Sequence, residues 1–137
     1  MGINILKESI DDSIELEGDM DMMELLNDIQ ELDVKTGLTY CMDEDFYKEV
    51  LKEYVSADKF EELNNYYNAK DWENYRIKVH ALKSTSMTIG AVALSDGAKE
   101  LEAASKALDE AYITAHHDEV MKQYEELLGK LRKALGE

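Results

Sequence analysis

His80 is the residue whose neighbours single it out for chemistry. At about 100° per residue on a helix, Arg76, His80, Lys83, Ser84 and Met87 share a face turned away from the apolar stripe Tyr75, Val79, Leu82, Ser86 and Ile89. That places His80 at the surface in mid-helix. Between Lys70 and Lys83 stand four basic and two acidic residues, so a segment of net charge +2 lies in a chain of net charge -16. An imidazole titrating near its usual value of about 6.5 is largely neutral at neutral pH, and one ring nitrogen then keeps a lone pair able to attack phosphorus. Lys83, at i+3, can reach phosphoryl oxygens, and Ser84, at i+4, is small enough to clear an incoming protein surface. The same spacing also describes an exposed histidine without a role among solvated lysines.

Other chemistries lack their residues. The seven glycines are scattered singly at 2, 18, 37, 90, 97, 129 and 136, so no Gly-rich phosphate loop exists and no nucleotide site is expected. There is no Gly-x-Ser-x-Gly elbow, no His-Glu-x-x-His pair, and no Glu-x-x-His for a dimetal site in a helical bundle. Cys41 is the sole cysteine, which excludes an intramolecular disulfide and a cysteine-built zinc site and suits a small, partly buried side chain. His116 and His117 are adjacent and point about 100° apart, so they cannot chelate one ion together and read as a surface pair. The acidic run from Asp21 to Asp33 lacks the glycine and final glutamate of a calcium loop, and Met20, Met22 and Met23 suit packing at a core or cap. No metal and no cofactor is expected on this chain.

Charge narrows the partners. With 31 acidic and 15 basic residues, the chain repels phosphate backbones and anionic membranes, so neither nucleic acid nor a membrane surface is expected. The excess is concentrated: from Glu8 to Asp33 there are eleven acidic and no basic residues. No apolar run approaches the roughly 20 residues of a membrane span, and no basic stretch leads into an apolar one near the start. Leu6 stands where a myristoylation signal needs Ser or Thr. The expected location is the cytoplasm.

The elements that must position His80 are helical. There is no proline, and apolar residues recur at three and four. Phe46, Val50, Tyr54, Ala57, Phe60, Leu63 and Tyr67 predict a helix over 44–69, opened by Asp43, with room for a bend near Ser56, Ala57 and Asp58. Asp71 caps a second over 71–89 and Gly90 stops it. Leu94, Ala98, Leu101, Ser105 and Leu108 mark a third over 92–108, and Ile113, Val120, Tyr124, Leu127, Leu131 and Leu135 a fourth over 110–135. Links of two or three residues force neighbours antiparallel, which predicts an all-α, up-down four-helix bundle. Met22, Leu25, Leu26, Ile29 and Leu32 predict a further helix over about 20–32 capping the bundle, with a turn near Thr36 and Gly37. Residues 19–137 form one domain in this reading, preceded by an acidic segment 1–18 that suits a short helix.

His80-Ala81-Leu82-Lys83-Ser84, Ile89-Gly90-Ala91, Leu94 and Leu101-Glu102 together resemble the signature of histidine phosphotransfer (HPt) domains of bacterial phosphorelays. Leu32-Asp33-Val34, Gly37-Leu38, the stretch from Phe46 to Val55 and Ala69-Lys70-Asp71-Trp72 resemble the lead-in to the phosphoacceptor helix, extending the likeness over about 32–108. The resemblance implies that His80 is the phosphoacceptor, Lys83 its charge partner, and Gly90-Ala91 the turn between the two motif helices. Arg76, Ser84 and Met87 would then face the partner. Ser84 stands where the family most often has glycine.

Three functions follow for comparison. A monomeric phosphocarrier would take a phosphoryl group on His80 from the aspartate of a response-regulator receiver domain, free or within a hybrid histidine kinase, and pass it to another receiver. The receiver would bring the acyl phosphate and Mg²⁺, and exposed apolar edges of the 44–69 and 71–89 helices would dock it. A helical adaptor would bind the same partners without phosphorylation. An acid–base enzyme would need a concave site with convergent polar groups, whereas the sequence predicts a convex helix face.

Overall fold

A computed structural model describes residues 22–137. All regular structure among the described residues is helical: α1 (Val34–Cys41), α2 (Glu44–Ser56), α3 (Phe60–Ala69), α4 (Trp72–Ile89), α5 (Val92–Lys106) and α6 (Glu110–Ala134), preceded by a helical stretch at 22–27. The acidic segment 1–18 and its expected short helix lie outside the described residues, as do the first two positions of the expected 20–32 helix.

Four of the six helices start at an aspartate. Asp33, Asp43, Asp71 and Asp109 each accept a hydrogen bond from the backbone N–H three residues on, at 3.2, 2.8, 3.3 and 3.1 Å. Each satisfies one otherwise orphaned donor and places negative charge at the positive end of the helix dipole. Gly90 ends α4 in the left-handed region at φ +92°, where its N–H and that of Ala91 close the Met87 and Ser86 carbonyls.

The bundle core is formed by the α2–α3 pair with α4, α5 and α6. Tyr75, Val79, Leu82, Ser86 and Ile89 are all buried, as the periodicity of α4 predicts. The expected helix over 44–69 resolves into two. Ala57 closes α2, Asp58 accepts from the Phe60 N–H at 2.8 Å, and the Tyr124 hydroxyl accepts the Lys59 N–H at 2.9 Å. The break shifts the buried face: Tyr47, Leu51, Tyr54 and Val55 go inward on α2, while Phe46 and Ala57 are exposed and Val50 is half-buried. Leu25 and Leu108 are likewise exposed. Leu108 lies beyond the end of α5, in the left-handed region at φ 55°.

Thr36 and Gly37 lie inside α1 rather than in a turn. The glycine is there for space: a Cβ on Gly37 would overlap the Tyr47 ring and sit 2.6 Å from the Ile89 carbonyl oxygen. That close approach lets Tyr47 donate its buried hydroxyl to the Ile89 carbonyl at 2.8 Å, tying α2 to the end of α4. Met22 and Met23 pack against the core, and Cys41 is buried.

His117 also departs from the expectation. It is fully buried, not half of a surface pair, with Nδ1 2.7 Å from the Tyr75 hydroxyl and Nε2 2.7 Å from Asn64 Oδ1. Its ring stacks on Tyr67 at 3.8 Å, and burial lowers its pKa to about 4, so the neutral ring joins α3, α4 and α6. Only His116 is at the surface, its Nδ1 2.9 Å from the Tyr112 carbonyl oxygen.

Candidate functional site

His80 occupies the middle of α4 with its side chain 58 % exposed, on the face opposite the buried stripe. The ring is held from the neighbouring helix. Nδ1 lies 2.7 Å from Oε2 of Glu102, which comes from α5 and whose side chain is only 6 % exposed. Lys83 Nζ lies 2.8 Å from the other oxygen, Oε1, and Lys106, one turn further along α5, lies 3.7 Å from Oε2.

Burial works against ionisation of Glu102. Hydrogen bonds from Lys83 and His80, with the positive charge they bring, outweigh it and hold the carboxyl down at about 2. An ionised carboxylate accepts only, so Nδ1 carries a proton toward Glu102, and in the neutral form of the ring the lone pair is assigned to Nε2. Exposure of the ring leaves that lone pair facing solvent. The arrangement is an exposed imidazole held through Nδ1 from below, with a ring nitrogen free to act as a nucleophile and cations beside it.

Local folding makes the arrangement stiff. The Gly90-Ala91 turn folds α5 back along α4. The Asp33 N–H donates to the Gly90 carbonyl at 2.8 Å, and a Cβ on Gly90 would overlap the Asp33 carbonyl. Buried Ser95 donates its hydroxyl to the Lys83 carbonyl at 2.8 Å, which fixes α5 against α4 at the level of the site.

Of the residues singled out in sequence, His80 and Lys83 are brought together through Glu102, Ser84 is exposed beside them, and Arg76 and Met87 are half-buried on the same helix. Gly90 and Ala91 are buried in the turn. A groove of about 230 Å³ opens next to Ser84, lined by Val50, Tyr54, Ala57, Thr85 and Thr88. Half-buried Val50, buried Tyr54 and exposed Ala57 supply its apolar wall. Glu102 and Lys106 were not among the predicted site residues. Hairpin arithmetic signals Glu102: His80 is ten residues before Gly90 and Glu102 eleven after Ala91, so they face each other across the turn. Lys106 follows Glu102 at i+4.

The helical bundle thus presents one exposed, carboxylate-anchored imidazole beside lysines. The Hpt domain family model matches residues 49–135, and the chain belongs to that family. Hpt domains are phosphocarriers in two-component signalling, interacting there with receiver domains and kinases. No curated protein and no solved structure gave a significant match. Among the described residues, no helix is long and apolar enough to cross a membrane.

Proposed function

We propose that His80 accepts a phosphoryl group on Nε2 from the aspartyl phosphate of a response-regulator receiver domain and passes it to a further receiver. The observation that carries this reading is the exposed ring whose Nδ1 is held 2.7 Å from a buried carboxylate. The Nε2 lone pair attacks phosphorus, the bond from phosphorus to the aspartate oxygen breaks, and the carboxylate leaves with the electron pair. No proton has to leave the attacking nitrogen. The positive charge that develops on the ring is met by Glu102 through Nδ1–H, and Lys83, which shares that carboxylate with the ring, supplies a cation for the phosphoryl oxygens. Mg²⁺ belongs to the receiver in this scheme, and no step draws on a metal of this chain.

The groove beside Ser84 supports the docking part of the reading. Its Ser84 edge lies one helical turn from His80, and a receiver seated there brings its phosphoaspartate toward the exposed ring face. Exposed Ser84 and half-buried Arg76 and Met87 complete the contact face. The domain works as a cytoplasmic monomer in this scheme. A non-phosphorylated adaptor would use the same groove without needing the His80–Glu102 geometry.

The test is incubation with receiver domains charged from acetyl phosphate. Label that is acid-labile, alkali-stable and lost in His80→Gln supports the carrier. Receiver binding with no label on the wild-type chain supports the adaptor. His80→Gln keeps an N–H able to donate to Glu102, so stability should fall by no more than about 1–2 kcal/mol and the fold should persist.

A further inference from the structure

Glu102 has more positive neighbours than its resting state uses. Oε1 is taken by Lys83 at 2.8 Å and Oε2 by His80 Nδ1 at 2.7 Å, while Lys106 stands off at 3.7 Å with its side chain 62 % exposed. Lys83 is the more confined of the two lysines, 30 % exposed and set beside His80 on the same helix. A phosphoryl group on His80 Nε2 would compete with Glu102 for its ammonium. Withdrawing Lys83 toward the phosphoryl oxygens would strip a nearly sealed carboxylate of its main cation, and an uncompensated buried charge is strongly unfavourable. The carboxylate would then loosen its hold on Nδ1–H or take up a proton, and either change ends the support of the phosphorylated ring.

We propose that Lys106 is a positioning residue that closes on Glu102 when Lys83 turns to the phosphoryl group, keeping the carboxylate ionised and His80 held through Nδ1. The inference rests on the phosphotransfer reading of His80. Lys106 is suited to the exchange by placement: it is the last residue of α5, one turn from Glu102 on the same helix, and has less than an ångström to close. Its exposure lets it change rotamer without disturbing the core. Two cations then serve one carboxylate in turn, and the positive charge around it stays constant while that around the phosphoryl group rises by one.

A merely structural Lys106 would still contribute as an i,i+4 partner and as a cation at a helix C-terminus, so the test needs a readout confined to the phosphorylated state. Phosphoramidate serves as donor, because its P–N bond breaks with release of ammonia and no docking partner is needed. Ring ¹⁵N signals of His80 and the lifetime of phospho-His80 are followed at neutral pH in wild type, Lys106→Met, Lys106→Arg and Lys83→Met. Lys106→Met should leave the unphosphorylated ring signals unchanged, since Lys83 still holds Glu102, and should shorten the phospho-His80 lifetime by about five- to tenfold. Lys106→Arg should restore it. Removing both lysines should cost more than the product of the single losses. A phospho-His80 lifetime in Lys106→Met within twofold of a normally phosphorylated wild type overturns the Lys106 inference alone. Failure of wild-type His80 to take up the phosphoryl group overturns the phosphotransfer reading and this inference with it.

Discussion

Glu102 Oε2 lies 2.7 Å from His80 Nδ1, so the exposed ring of α4 is oriented by a buried carboxylate of α5. Tautomer follows from that contact: a proton on Nδ1 leaves Nε2 as nucleophile. Glu102→Gln keeps the shape but loses the charge, replacing charge-assisted hydrogen bonds by neutral ones, a loss of about 1–2 kcal/mol. Phosphoryl acceptance should fall about five- to thirtyfold, and ring ¹⁵N shifts should show a mixture of tautomers in place of one. Stopped-flow transfer kinetics and NMR on the same sample check both.

Two groups should set the acid limb of stability in separate windows. His117 is buried neutral with its pKa lowered from 6.5 to about 4. The unfolded chain therefore binds a proton that the native one refuses between those values. Its contribution is complete above about pH 6.5 and declines as pH falls toward 4, by roughly 3 kcal/mol in total. Glu102, lowered from 4.5 to about 2, contributes fully above pH 4.5 and loses that contribution only as pH falls toward 2. His117→Gln should flatten the pH dependence of the urea midpoint between pH 6.5 and 4.5, and Glu102→Gln should flatten it below pH 4.5.

Ser84 is exposed one turn from His80 and borders the groove. Ser84→Phe should block receiver docking by filling the clearance, with little effect on phosphorylation by a small donor. Ser84→Gly should bind receivers at least as well as wild type. Titration calorimetry against a receiver domain, paired with phosphoramidate labelling, separates docking from chemistry.

Much of this arrangement is legible in the chain. The buried side of α4 follows from steps of three and four, and Asp43 and Asp71 announce their helices. His117 falls on the stripe Ile113, Val120, Tyr124 at i+4 from Ile113, a position that local pairing with His116 obscures, because only the fold supplies Tyr75 and Asn64 as partners. The residues around 36–37 look like a turn because glycine there reads as a breaker, whereas its real cause is the Tyr47 ring brought in by α2. Glu102 belongs to the motif in sequence, but its bond to His80 exists only once the Gly90 turn has folded α5 back.

Gly37→Ala tests that explanation of α1. The added methyl overlaps Tyr47 and crowds the Ile89 carbonyl, so stability should fall by about 1–3 kcal/mol through overpacking. Thermal melts should show the loss, while the His80 ring signals stay as in wild type.

The most direct test of the central claim is the position of the phosphoryl group on the chain after exposure to a phosphorylated receiver, read by ³¹P and ¹⁵N NMR. The account predicts a single phosphohistidine at His80, bonded through Nε2, with Nδ1 still protonated toward Glu102. A phosphoryl group on Nδ1, on His116, or on no residue of the chain would contradict it.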